Sequence, residues 1–337
     1  MSPLARYALK RILLLPVMLF LVATFAFLLV TVLPGDPATL IAGDFASKDA
    51  LAKVRADLGL DQSLWHQYTS YLGSLLHGDL GESFFTGSSV TDEMARRLPS
   101  SMVIIVPSLL VAVLLGTAIG TLGGYYRRKP VGRSTSVLIS GIQGVPPFFL
   151  AIVLIDLLVF ELRIFPTPTG MLYASTQRPP ERTGSVVVDA FLAQDWGVLG
   201  DVAAHAILPV ASTGIFLASY FAKTVRTSVT QALSTPQIEF ARGCGLPERQ
   251  VVRYALLTSR TSVLTYIAIL FGVMLGASAI VEVVFSWPGI GGWALDGVLK
   301  GDLPVIQGFV VVTGLIVIVA YVVLDVLVAA LDPRISY

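Results

Sequence analysis

Long stretches without any Asp, Glu, Lys or Arg alternate along this chain with shorter stretches where those residues gather. Six of the charge-free stretches are strongly apolar: 12–35, 98–126, 134–155, 202–222, 261–281 and 303–324. A helix needs about 20 residues to cross a hydrocarbon core, and each stretch is long enough. Lipid offers no partner to an unpaired backbone group, so the pattern predicts six membrane-spanning helices rather than an open sheet. The next run, 62–78, is interrupted by His66, Gln67, Tyr68, Ser70 and His77 and reads as an amphipathic surface segment.

The segments between the spans differ in character. The first, 34–99, has helical apolar spacing over 51–60 and 64–76, which predicts a small folded insert. The second, about 163–201, holds Pro166, Pro168, Pro179, Pro180 and Gly184 and reads as irregular. After the fifth span comes Trp287-Pro288-Gly289-Ile290-Gly291-Gly292-Trp293. Backbone this rich in glycine is tolerated at membrane depth only where protein covers it or water lines it. The division that follows is 1–33 (tail and first helix), 34–99 (insert) and 100–337 (a five-helix core).

Between the fourth and fifth spans, Thr235 can cap a helix whose first residue is Pro236, where a missing N–H costs nothing. Glu239 in the first turn suits the helix dipole. Gly243 and Gly245 stop that helix, and Pro247 with Glu248 opens another through Val251, Val252 and Tyr254. The expectation is two helices hinged at glycine on the membrane surface. Ile238, Phe240, Leu246 and Val251 have no lipid to face there. They either dock into another protein's groove or fold back on the chain's own helix ends, and the residues leave both open.

Composition agrees with a membrane protein. Of 337 residues, 55% are apolar and 13% charged, against roughly 25% charged in soluble domains. Mean hydropathy is +0.78. Disorder, collagen and a disulfide scaffold are excluded, and the single cysteine, Cys244, cannot form an internal disulfide. Net charge is +1 without a basic, aromatic-interleaved stripe, so nothing points to nucleic acid.

Charge also predicts orientation. With the N-terminus inside, inner segments collect Arg6, Lys10, Arg11, Arg127, Arg128, Lys129, Arg133, Lys223, Arg226, Arg242, Arg249, Arg253, Arg260 and Arg334 against Glu239, Glu248 and Asp332. Acids outnumber bases in the outer segments. Both termini are therefore expected in the cytoplasm. The first apolar stretch exceeds the 7–15 residues of a signal-peptide core and has no evident small-x-small cleavage site, so it is expected to stay as a helix.

Catalytic motifs are missing. There is no G-x-x-x-x-G-K-[ST] loop for nucleotide phosphates and no H-E-x-x-H. His66, His77 and His205 lack metal-ligand spacing, and no Ser/His/Asp set stands out. Gly116, Gly120 and Gly124 notch one helix face, as do Gly272 and Gly276, and packing within the chain is favoured over subunit pairing. Gly141, Gly144, Pro146 and Pro147 should kink the third span. Asp156, Glu282 and Asp325 are acids in or beside spans, which makes them functional candidates. Each also sits near a span end, where a structural partner is favoured. Asp156 and Glu282 are retained as substrate-pathway candidates. Asp156 and Asp325 fall at opposite ends and lack G-x-G-D, which argues against an intramembrane aspartyl protease.

The stretch Glu239-Phe240-Ala241-Arg242-Gly243-Cys244-Gly245 resembles the E-A-A-x-x-x-G loop of bacterial ABC importer permeases. Further motifs run in family order: Leu33-Pro34-Gly35-Asp36-Pro37, Leu58-Gly59-Leu60-Asp61-Gln62, His77-Gly78-Asp79-Leu80-Gly81, Arg97-Leu98-Pro99, Phe285-Ser286-Trp287-Pro288-Gly289-Ile290-Gly291, Asp302-Leu303-Pro304-Val305-Ile306-Gln307-Gly308 and Leu331-Asp332-Pro333-Arg334. Together they resemble the dipeptide/oligopeptide permease family, OppB/DppB-type subunit. Two departures are Phe at 240 and Ala255-Leu256-Leu257-Thr258 where the family has I-x-L-P.

The resemblance implies an all-α polytopic protein with the type I importer permease fold, in the bacterial inner membrane, catalysing no reaction itself. It implies a second homologous permease, two cytoplasmic ATPases that use ATP and Mg, an extracytoplasmic peptide-binding protein, surrounding membrane lipid and a peptide cargo. No cofactor or metal would be bound by this chain. Nickel, glutathione or another small solute is the alternative cargo, and a scaffold without transport the more distant reading. Glu239, Phe240, Ala241, Arg242, Gly243, Gly245 and Leu246, within a loop of about 230–255, would couple to the ATPases.

Overall fold

The computed structural model describes residues 3–32, 37–42 and 47–331. Most of the motif around Gly35, and that around Asp332 with Arg334, lie outside the described residues. The chain opens with α1 (Pro3–Val32). Three short helices follow, α2 (Pro37–Ala42), α3 (Lys48–Asp57) and α4 (Leu64–Leu76). The Ser47 and Ser63 hydroxyls accept from the backbone N–H of Ala50 and His66 and so start α3 and α4. His66 and His77 are exposed.

The second long helix, α5 (Val90–Tyr125), begins well ahead of the charge-free stretch. Ser89 caps it, and Asp92 and Glu93 occupy its first turn. Next come α6 (Pro130–Gln143) and α7 (Pro147–Ile155), which runs on as a π turn, Asp156–Glu161. After an irregular stretch and α8 (Val186–Leu192) come α9 (Trp196–Leu233), α10 (Pro236–Gly243), α11 (Glu248–Val284), α12 (Ile290–Lys300) and α13 (Leu303–Leu331). Among the described residues the extended pairing is a lone bridge between Glu82 and Ser89.

Five helices, α1, α5, α9, α11 and α13, are long and apolar enough to cross a membrane, and the α6–α7 pair makes a sixth span if its two arms count as one. Those arms are bent by 92°, sharper than a kink. Gly144 ends α6, and Pro146 and Pro147 remove two N–H donors where the ladder would continue. The other departure concerns 248–260. Instead of a second surface helix, these residues form the first turns of the 37-residue α11.

The bundle centres on α9, the most buried spanning helix, packed along α5. The glycine notches of α5 make this possible. A Cβ on Gly120 would lie 2.6 Å from the Ala222 carbonyl oxygen and 2.7 Å from Val225 Cβ, and one on Gly116 would lie 2.9 Å from Phe221. Gly214 reciprocates, with Val111 Cγ1 2.7 Å from the position a Cβ would take. Those α5 glycines therefore serve packing within the chain, as expected. Gly276 meets nothing within 4 Å. On the flank, α1 packs on α13 and Arg11 pairs with Asp325 at 2.9 Å, so this acid has a structural partner.

Motifs far apart in sequence interlock at the end of the bundle that carries the insert. Buried Asp302 accepts from Ser83 Oγ at 2.5 Å and Phe84 N at 3.2 Å. Pro304 lies against Gly81, and Val90 fills the space beside Gly308. Tyr68 of α4 hydrogen-bonds Thr24 of α1 at 2.7 Å and its ring packs on Phe27. Trp287 donates from Nε1 to the Ser100 carbonyl at 2.8 Å, and Ile290 N donates to Ser101 Oγ at 2.9 Å. The glycine-rich turn is thus covered by protein.

Candidate coupling site

At the opposite end lies α10, packed on α9 and α11. Helix α9 ends at Ser234, and Pro236 is the first residue of α10. Thr235 stands at the capping position but donates its hydroxyl backward to the Ala232 carbonyl at 2.7 Å, so it does not cap. Glu239 occupies the first turn and is exposed. Three N–H groups close the far end: Cys244 to the Phe240 carbonyl, Gly245 to Arg242 and Leu246 to Ala241. Gly245 has φ +75°, a left-handed conformation in which a β-carbon is strained. Gly243 and Gly245 have nothing within 4 Å of where a Cβ would sit, so the requirement at 245 is conformational, not a matter of space.

The four apolar residues of the segment divide. Ile238 is 3% exposed and Val251 fully buried, while Phe240 is 74% exposed and Leu246 half-buried. Ile238 anchors α10, and Phe240 projects. Ile238 and Val251 thus fold back on the chain's own helices, while Phe240 is left on the surface.

A polar latch holds α10 against its neighbours. Arg242 donates to Glu248 from Nε at 3.1 Å and from a terminal nitrogen at 3.2 Å. Glu248 also accepts from the Tyr125 hydroxyl at 2.9 Å. The C-terminal turn of α5, the end of α10 and the first turn of α11 are thereby tied together. The ion pair is exposed, so its contribution is ~1 kcal/mol or less, and its use is orientation. Sequence reasoning missed Glu248 and Tyr125. The available signal was an Arg and a Glu facing each other across a Gly-x-Gly-x-Pro elbow.

The two pathway candidates lie elsewhere. Asp156 is exposed at the start of the π turn. Glu282 is 1% exposed and accepts from Ser101 Oγ and Gly292 N, both at 2.7 Å. Among the described residues, no three His, Cys, Asp or Glu side chains group as a metal set.

Residues 112–337 match the family model described as "Binding-protein-dependent transport system inner membrane component", and residues 4–105 match its N-terminal counterpart. The chain belongs to that family. It is a multi-pass inner-membrane permease of the ABC importer type. Among its relatives is the "Glutathione transport system permease protein GsiC" of Escherichia coli (strain K12), 35% identical over 98% of this chain and 99% of the relative. Another is the "Probable D,D-dipeptide transport system permease protein DdpB" of the same strain, 33% identical over 94% of this chain and 93% of the relative. Within the permease, α10 packs on α9 and α11 and exposes Glu239 and Phe240.

Proposed function

We propose that this permease is half of a peptide channel, paired with a second homologous permease. Two cytoplasmic ATPases drive it and an extracytoplasmic binding protein feeds it. Its basic end, with both termini, faces the cytoplasm, in keeping with the distribution of Lys and Arg. The cargo is a dipeptide or a molecule of similar size such as glutathione, because relatives matching it end to end carry those names. The insert, 34–99, lies on the other side of the membrane and receives the binding protein.

The observation that carries the coupling reading is the posture of α10. Ile238 and the Arg242–Glu248–Tyr125 latch fix it to the bundle, while Phe240 and Glu239 are presented outward. A lever needs this combination of a rigid root and a free docking face. Without a phosphate-binding loop of its own, the permease receives energy here. Reversing a 1:99 population of the two access states takes about 5.5 kcal/mol of differential binding, which nucleotide clamped between two ATPases supplies. A peptide backbone must stay hydrogen-bonded or wet on its way across, and two bundles side by side can enclose such a passage. Asp156, exposed on its π turn, is the acid assigned to that passage, since both oxygens of Glu282 are engaged by the protein.

The test is Phe240→Asp and Gly245→Val in the complete transporter, reading labelled-peptide uptake and ATPase co-purification together. Phe240→Asp should lose the ATPases, and Gly245→Val should lose uptake, with membrane levels unchanged. Normal uptake and co-purification in both variants would refute the coupling assignment.

A further inference from the structure

A second site lies at the basic end. An open cavity of ≈ 480 Å³ is bounded by the residues after α5, by α6 and by the last turns of α9, and no residue of α10 lines it. Arg127, Lys223 and Arg226 line it and no acid does. None of the three enters an ion pair among the described residues. The polar lining continues with Ser140, Thr230 and Gln143, and the Gln143 amide nitrogen is buried without a hydrogen-bond partner. Every strong charge here is positive, and an N–H donor is left over.

The arginine is placed by packing. Gly123 leaves room for the Arg226 stem: a Cβ at 123 would lie 3.2 Å from Arg226 Cδ and 2.7 Å from Thr135 Oγ1. The stem thus lies against the Gly123 notch of α5, which Thr135 of α6 also approaches. Arginine's fork suits phosphate oxygens, and the remaining donors suit the others. The same α6 that lines the cavity exposes Val137 (72%) and Leu138 on its surface, within a stretch that lacks charge. A cationic recess beside an apolar, membrane-level helix face fits a molecule with an anionic head and hydrocarbon tails.

We propose that this cavity seats the phosphate headgroup of an anionic phospholipid, with acyl chains lying along the exposed face of α6. Basic recesses between spanning helices are suited to such heads, and each Lys or Arg near the surface adds to the attraction. The seated lipid would brace the α6 arm of the bent span against α9, next to the helix that leads into α10. The site rests on the reading of the chain as a membrane permease, but its test reads lipid and not transport, so the two fail separately.

Full-length permease in detergent is titrated with phosphatidylglycerol and with phosphatidylcholine of identical chains, and bound lipid is counted by native mass spectrometry. Wild type should retain the anionic lipid preferentially. Arg127→Gln/Arg226→Gln should weaken it roughly tenfold or more, and the milder Lys223→Gln several-fold. Arg128→Gln/Lys129→Gln removes the same charge from residues outside the cavity and should leave retention unchanged, as should added inorganic phosphate. Equal retention of both lipids, or equal loss in the control variant, would overturn the proposal. So would displacement by inorganic phosphate, which would mark a free-anion site, or loss of co-purifying ATPase with lipid unchanged, which would mark a protein contact.

Discussion

Glu282→Ala tests whether this buried carboxyl holds the fold or serves the cargo. The substitution removes the acceptor for Ser101 Oγ and for Gly292 N, both at 2.7 Å, in a site that is 1% exposed. Each donor left unsatisfied costs about 1–3 kcal/mol, and a small cavity adds to that. The loss is therefore about 2–6 kcal/mol, or a fall of roughly 3–9 °C in the thermal midpoint. Glu282→Gln is milder, about 1–2 kcal/mol. Its oxygen can serve Gly292 N, and its amide can donate to Ser101 Oγ once the serine proton turns away. The assay is thermal unfolding of purified permease by intrinsic fluorescence, with peptide uptake in parallel. The structural reasoning requires stability to fall in the order wild type, Gln, Ala. A Glu282→Ala protein as stable as wild type but inactive in uptake would refute it and return the residue to the substrate pathway.

Gly120→Ala must push a Cβ to 2.6 Å from the Ala222 carbonyl oxygen, and should destabilise the α5–α9 pair by about 1–3 kcal/mol, seen as a lower thermal midpoint; Gly276→Ala, in open space, should not. Asp302→Ala frees Ser83 and Phe84, so limited proteolysis should cut the insert faster while ATPase co-purification is unchanged. Asp189 is pushed up by burial, but hydrogen bonds from Thr183, Arg182 and Gly184 outweigh this and hold it below the usual carboxylate range. Its folded value lies below its unfolded one, so its stabilisation is complete above about pH 4 and is lost as pH falls through the folded value. Protection from hydrogen exchange over 182–192, measured against the intrinsic rate at each pH, should therefore fall only below about pH 4, and Asp189→Asn should abolish that pH step.

How much of this was legible in the sequence follows from which forces act locally. The spans are written in composition, because lipid excludes charge over about 20 residues whatever the tertiary fold. Helix α10 was legible from Pro236, Glu239 and the glycines, which are local stop and start signals. Its continuation into α11 was misjudged because Glu248–Arg260 is charged enough to look like a surface segment, yet its buried Val251, Ala255 and Ser259 extend the same core. The 92° break was visible only as a kink, since the angle depends on what α7 packs against. The interlocking of Ser83 with Asp302 and of Ser101 with Glu282 joins residues about two hundred positions apart, beyond any pattern in one chain. The anchor-and-knob division of Ile238 and Phe240 was likewise undecidable, because both are apolar and only packing separates them.

The central claim is that α10 is where the ATPases engage, and Cys244 reports on it directly. It is the chain's only cysteine and is exposed in the elbow that follows α10. The measurement is the labelling rate of Cys244 by a membrane-impermeant maleimide, in right-side-out and inverted vesicles, with and without bound ATPase subunits. The account predicts labelling from the cytoplasmic side that slows markedly when the ATPases are bound. Labelling from the outside, or a rate indifferent to the ATPases, would contradict it.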